Sequence, residues 1–289
     1  MIMMKHDQAE GLRRKLDSRN HPNNAKTVAV ISGKGGVGKS NFALNFSLQL
    51  INNGKKVLLF DLDVGMGNID ILLGSRAEKT IVNLFEERLS ILDVIEQGPK
   101  GLAYIAGGSG LSNFFQMDES DHDYFYEQYK ELSLIYDYIL FDMGAGVTED
   151  SLFFILASDE CIVITTPEPT SVTDAYGMIK HVVNRKQDMP LHVILNRASN
   201  YQDGLKALER FKAVVTKFLK VEIQSIGIIP DDRVVTQAIV RQIPYTLYNE
   251  KSKAAKALKD ITYNYVTHTK QVNRTPSSFV QRLKHLMER

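Results

Sequence analysis

The chain has 289 residues, 44% apolar and 24% charged, a globular composition that excludes global disorder. One cysteine, Cys161, excludes a disulfide scaffold, a CxxC redox pair and a cysteine-held metal cluster within one chain; no apolar run nears the ~18 residues that a bilayer span needs. The net charge of +1 conceals basic ends on an acidic body: residues 1–26 carry +3, residues 251–289 carry +7 and the part between carries −9. Basic ends are expected to meet something anionic or acidic. With no secretory leader in view, a reducing cytoplasm is the expected compartment.

In chain order, residues 1–26 read as a short polar helix and then a loop through Asn20–Asn24. Strands are predicted at Thr27–Ser32, Lys56–Asp61, Leu102–Ile105, Tyr138–Asp142, Cys161–Thr165, Leu191–Leu195 and Ser225–Ile229. Their Val, Ile and Leu run almost continuously instead of alternating, as in strands buried on both faces of a parallel sheet. Helical patterns fall between them at 39–53, 121–135, 171–188, 203–218 and 250–267. The alternation predicts right-handed βαβ units and an α/β fold with a doubly wound, mostly parallel sheet flanked by helices. Cys161 lies in an apolar strand and reads as an inert core residue.

The first strand runs into Gly33-Lys34-Gly35-Gly36-Val37-Gly38-Lys39-Ser40 and then an apolar helix. Gly33, Gly38, Lys39 and Ser40 fill the GxxxxGK[ST] spacing, in which glycines let backbone N–H groups wrap phosphate oxygens at a helix N-terminus. Lys39 is expected to reach the β- and γ-phosphates and Ser40 to ligate Mg2+. Lys34, a second lysine in the loop, has no necessary task on its own phosphates. In this KGGVGKS form the chain resembles the deviant-P-loop ATPases of the MinD/ParA family through roughly residues 27–250. That resemblance implies a P-loop NTPase of MinD-like fold, Mg2+ and ATP/ADP as ligands, and an ATP-dependent homodimer in which Lys34 crosses to the partner's phosphates. A cation delivered in trans stabilises the transferred phosphoryl group only when two subunits meet.

Acidic residues fall at strand ends, where ligands of open α/β sheets bind. The second strand ends in Asp61-Leu62-Asp63; by resemblance Asp63 orients the attacking water and Asp61 sits nearer the magnesium water shell. Tyr138-Ile139-Leu140-Phe141-Asp142 has the pattern of a Walker B strand, so Asp142 is expected to serve Mg2+, with Gly144 and Gly146 freeing the next loop to respond to the γ-phosphate. For the base, Asn196 ends a late strand with an amide that can both donate to and accept from adenine. Arg197 beside it, Pro230 and Asp231 after the next strand, and Asn41 behind the phosphate loop complete the expected nucleotide set. Neither short motif around Asn196 or Asp231 is specific alone, and Asp231 also fits a plain turn.

Pro276–Arg289 reads as a helix capped by Ser277 or Ser278. Phe279, Val280, Leu283, Leu286 and Met287 form an apolar stripe, with Arg282, Lys284, His285 and Arg289 around it. A basic amphipathic helix suits an anionic membrane surface; it equally suits packing on the chain's own core. The extreme C-terminus, after a polar stretch, is where MinD-type proteins carry a membrane-targeting helix, and the two uses can alternate with nucleotide state. Asp7-Gln8-Ala9-Glu10-Gly11-Leu12-Arg13 resembles the DQAxxLR element of the FlhG (YlxH) family of flagellar number and placement regulators. The resemblance implies that this segment stimulates the FlhF GTPase, with Gln8 positioning a water there and Leu12 and Arg13 in support; Gly11 favours folding upon binding.

The expected organisation is thus an FlhF-activating segment over 1–26, a MinD-like ATPase domain over 27–268, and a polar stretch plus membrane-targeting helix over 269–289. The expected function is a cytoplasmic ATPase, peripherally membrane-bound as the ATP dimer, that controls flagellar placement and number, with flagellar C-ring components as further partners and no specific nucleic acid. The alternative is a ParA-type segregation ATPase that binds DNA nonspecifically through its basic C-terminal region. Nitrogenase-reductase-like carriers are excluded, since Cys161 alone gives even a dimer two thiols where a cluster needs four.

Overall fold

A computed structural model describes residues 25–63, 67–108, 119–146, 149–268 and 279–287. The strands are β1 (Lys26–Ser32), β2 (Val57–Leu62), β3 (Glu96–Gln97), β4 (Ala103–Ile105), β5 (Tyr138–Ala145), β6 (Glu160–Thr165), β7 (Leu191–Ala198) and β8 (Gln224–Pro230). They form an eight-stranded sheet in the order β3-β4-β2-β5-β1-β6-β7-β8, in which β3 alone pairs antiparallel. Every residue of β1, β2 and β6 is buried, which is why their sequences read as unbroken apolar runs. Each predicted strand is present within a few residues. The edge strand β3 was not expected; two polar residues carry no strand pattern.

Five predicted helices are present: α1 (Lys39–Asn52), α4 (Glu119–Ile135), α6 (Pro169–Arg185), α7 (Tyr201–Leu219) and α10 (Lys253–His268). Short helices α2 (Ile69–Leu73), α3 (Ile81–Glu86), α8 (Arg233–Val240) and α9 (Tyr245–Tyr248), and the nine-residue α5 (Glu149–Ala157), had escaped prediction. The omission of α5 has a physical cause. Its Leu152, Phe154, Ile155 and Leu156 are all buried, so no polar face marks a helical period.

What covers α5 on its outer side is the C-terminal helix, α11 (Phe279–Met287). Of the two covers expected for the stripe, the structure shows the chain's own core: Phe279, Val280 and Leu283 belong to it and Leu286 packs against it. The Phe279 ring lies 4.8 Å from Phe141, 4.9 Å from Tyr129 and 5.8 Å from Phe154. Arg282 donates to the Ala157 carbonyl at 2.7 Å and to Asp159 at 2.8 Å, so a cation closes the C-terminal end of α5. Lys284 pairs with Asp123 of α4 at 2.9 Å. In this conformation α11 is part of the domain, and the polar residues 269–278 before it, like residues 1–24, lie outside the described residues.

No helix among the described residues is long and apolar enough to cross a membrane. Cys161 is a free, fully buried thiol in β6, as its sequence suggested, and burial pushes its pKa up.

Below the sheet, at the opposite end from the phosphate loop, β1, β6, β7 and α10 meet on a buried ionic cluster. Lys26 lies 2.5 Å from Glu160, His192 lies 3.4 Å from the same carboxylate, and Tyr265 donates its hydroxyl to it. Burial alone would raise the Glu160 pKa, but the His192 hydrogen bond and the Lys26 charge outweigh it and hold it at about 2, below its ordinary 4.5. A carboxylate so depressed stabilises the fold above its ordinary pKa, and that contribution fades as pH falls from 4.5 towards about 2. Glu160→Gln leaves Lys26 buried without its counter-charge and should cost about 3–5 kcal/mol. Urea unfolding at pH 7 checks the loss; the difference between variant and wild type should shrink at pH 3.

Candidate nucleotide site

The carboxyl ends of β1, β2, β5, β7 and β8 open into one cavity of about 860 Å3, within the range of small-molecule sites. The phosphate loop forms its floor. Gly38 caps α1 at φ +93, a left-handed conformation that glycine adopts freely, and a Cβ there would stand 2.5 Å from the Asn196 amide nitrogen. At Gly33 a Cβ would come within 2.1 Å of the Asp174 backbone, so the loop lies directly on the first turns of α6. Val37 turns its side chain into the core, while Gly35 and Gly36 stay exposed towards the cavity.

The two loop lysines go opposite ways. Lys39 is buried, with Nζ 2.5 Å from Asp142, 3.9 Å from Asp63 and 3.4 Å from the Ser40 hydroxyl. Lys34 keeps 43% of its side chain exposed and meets Glu168 at 3.4 Å and Thr170 at 3.2 Å. Asp142 sits beside Val30 and Asp61 in the sheet register and is fully buried. One of its carboxylate oxygens, Oδ2, has no hydrogen-bond partner among the described residues.

That orphaned oxygen and the Ser40 hydroxyl are the groups present that fit Mg2+. Among the described residues no three His, Cys, Asp or Glu side chains converge on a metal position. Magnesium suits such a sparse set, since it keeps several waters and takes the rest of its shell from substrate phosphates.

Asp63 lines the cavity, half-buried, and accepts from the Asn68 amide at 3.1 Å. Burial raises its pKa, partly offset by the nearby Lys39 charge. Neither Asp61 nor Asp142 is on the cavity wall; Asp61, expected near the magnesium shell, gives its carboxylate to the backbone N–H groups of Asp63, Asn68 and Ile69. Burial, with the charge of Asp142, pushes its pKa up to about 7.

Asn41, Asn196, Arg197, Pro230 and Asp231, proposed from the sequence for the nucleotide, all line the cavity. Asn196, chosen for adenine, also braces the phosphate loop. Its amide donates to the Val37 carbonyl at 2.8 Å and its oxygen accepts from Arg197 N at 3.0 Å. The remaining amide hydrogen and oxygen lone pair are what it can offer a base. Sequence reasoning missed Asn68 and Tyr245, which line the cavity, and Glu168, which holds Lys34; Asn68, five residues after Asp63, and the charged Glu168 carried polar signals that could have drawn attention. It also missed Asp232, which caps α8 through Val234 N and holds Ala254 N, anchoring the loop that bears Asp231. Gln8, Leu12 and Arg13 lie outside the described residues, as do the surroundings of Met287.

The sequence profile of the CbiA family, the CobQ/CobB/MinD/ParA nucleotide binding domain, matches residues 28–245. The antiactivator FleN of Pseudomonas aeruginosa is 33% identical over 83% of this chain and 85% of its own length. The flagellum site-determining protein YlxH of Helicobacter pylori is 33% identical over 75% and 73%. Among solved structures, the MinC:MinD cell division protein complex of Aquifex aeolicus aligns with a TM-score of 0.69 and 26% identity over 86% of this chain and 99% of that one.

The cavity floor makes one sharp demand. Gly38→Ala adds strain at a positive φ and drives a methyl group into the Asn196 amide that braces the loop. Titration with a fluorescent ATP analogue should register a loss of affinity of roughly a hundredfold, of the order expected when loop backbone N–H groups are displaced.

Proposed function

The chain belongs to the CobQ/CobB/MinD/ParA nucleotide-binding family, and on that premise we propose that it is a Mg2+-dependent ATPase switch, active as an ATP-bound homodimer, that controls flagellar number and placement. The disposition of its two lysines carries the reading: Lys39 is inside against Asp142, while Lys34 is outside and exposed.

Lys39 has Asp142 as its counter-charge within the chain. Nucleotide phosphates offer Lys39 a stronger set of acceptors, and the phosphate loop N–H groups take the remaining oxygens. Ser40 and Asp142 would hold Mg2+, which neutralises charge developing on the transferred phosphoryl group. Asp63 orients the attacking water. Lys34 leaves Glu168 and Thr170 for the phosphates of the partner subunit, so hydrolysis waits for dimerisation. Asn196, Arg197, Pro230 and Asp231 receive the base and ribose. Asp63→Ala should dimerise with ATP in size-exclusion chromatography yet release phosphate at least about a hundredfold more slowly than wild type; a variant that hydrolyses normally overturns the assignment.

The flagellar part of the reading is supported by the two relatives, one described as an antiactivator and the other as a flagellum site-determining protein. The N-terminal DQAxxLR-like string supports stimulation of the FlhF GTPase, with Gln8 in the partner's site, and C-ring components are proposed as further partners. A peptide of residues 1–26 should accelerate GTP hydrolysis by FlhF, and Gln8→Ala should remove the effect; no stimulation removes this part of the proposal.

The C-terminal helix alternates between its docked place and an anionic membrane. Its Phe279 rests on Phe141, the residue before Asp142, so the docking face and the nucleotide site share β5. Two helices in one dimer raise membrane avidity over one. Flotation with anionic vesicles should find the wild type bound with ATP and free with ADP. Leu283→Glu should stay free in both; flotation of that variant with ATP overturns the membrane role.

A further inference from the structure

Resting on the ATPase reading above, we infer that Asp61 is a positioning residue for hydrolysis, which fixes Asp63 by anchoring the backbone at Asp63 and at Asn68–Ile69, and is not a magnesium ligand. Asp61 is the penultimate residue of β2 and almost fully buried. A buried carboxylate must be matched by donors, and all of its hydrogen-bond partners among the described residues are backbone N–H groups. Oδ1 accepts from Asp63 at 3.2 Å; Oδ2 accepts from Asn68 at 2.6 Å and Ile69 at 3.0 Å.

One side chain thus ties both ends of the segment that follows β2 to the same point. With its backbone held there, Asn68 reaches back to Asp63 with its side-chain amide at 3.1 Å, and Asp63 faces Lys39 at 3.9 Å. Asp63 and Asn68 line the cavity; Asp61, like Asp142, stands behind that lining, but unlike Asp142 it has backbone donors on both carboxylate oxygens. Asp61 therefore acts at one remove: it sets where Asp63 stands, and Asp63 meets the cavity.

Asparagine cannot reproduce this anchor. A carboxamide has one acceptor oxygen, and its NH2 group would confront either the Asp63 N–H or both the Asn68 and Ile69 N–H groups. A loss of position of this kind lowers turnover without weakening substrate binding.

The test compares full-length wild type, Asp61→Asn, Asn68→Ala and Asp142→Asn. It measures ATPase rate against ATP and Mg2+ concentration, and hydrogen exchange at the Asp63, Asn68 and Ile69 amides. Asp61→Asn should speed exchange at the Asp63 amide or at the Asn68 and Ile69 amides and lower kcat roughly tenfold to a hundredfold, with KM for ATP and half-saturating Mg2+ within about twofold of wild type. Asn68→Ala should lose a similar factor in kcat while Ile69 stays protected, and Asp142→Asn should raise the Mg2+ requirement.

A raised Mg2+ requirement in Asp61→Asn, or an unchanged kcat, overturns the inference. Where Asp61→Asn does not fold, solvent-rate exchange of the Asn68 and Ile69 amides in wild type, or a normal kcat in Asn68→Ala, overturns it in the same way. A wild type that turns over no ATP overturns the ATPase reading itself, and its own rate separates that outcome from failure of the anchor.

Discussion

The structure is organised around one buried ion pair, Lys39 with Asp142 at 2.5 Å. A buried cation and a buried carboxylate are tolerated together and costly apart, so the pair locks the start of α1 to the end of β5. Once these are fixed, the loop between β1 and α1 has little freedom. Its first glycine rests on α6, its Val37 fills the core, and its Val37 carbonyl is held by Asn196 from β7. Three strands and two helices thereby hold a short stretch of backbone in a shape that suits phosphate.

Asp142 and its neighbour Phe141 divide the work of β5. Successive strand residues point to opposite faces of the sheet. Phe141 joins the cluster under α4, α5 and α11, while Asp142 meets Lys39 at the strand's end. Two residues one peptide bond apart thus belong to two different layers of the molecule. The aromatic packing of Phe141, Phe154, Tyr129 and Phe279 makes the first of those layers a close-fitted one.

Much of this was legible in the sequence, and the rest failed for identifiable reasons. Strands buried on both faces announced themselves as Val, Ile and Leu runs, and the phosphate loop by glycine spacing, because both constraints act on neighbouring residues. The cavity's wall could be guessed because strand ends converge there whatever the loops do. What could not be read were contacts decided across the fold. The amphipathic stripe of Phe279, Val280 and Leu283 said that something apolar covers it, not what, and the covering surface is α5, 120 residues and more away in sequence. The missing polar face of α5 was the complementary signal, and it was lost because a helix buried on two sides looks like no helix at all. Asp61 illustrates the same limit: its residue type fitted a metal site, but only the folded backbone shows three N–H groups already in possession of it.

The lone cysteine has a practical meaning of its own. Cys161 lies in β6 with no exposed surface, and burial disfavours its thiolate, the form that reacts with electrophiles. Towards thiol-directed dyes and spin labels the folded chain is therefore silent. A cysteine introduced on the outer face of α11 and another on α4 would be the two reactive thiols of the folded molecule, and the distance between their labels would report directly where the C-terminal helix resides.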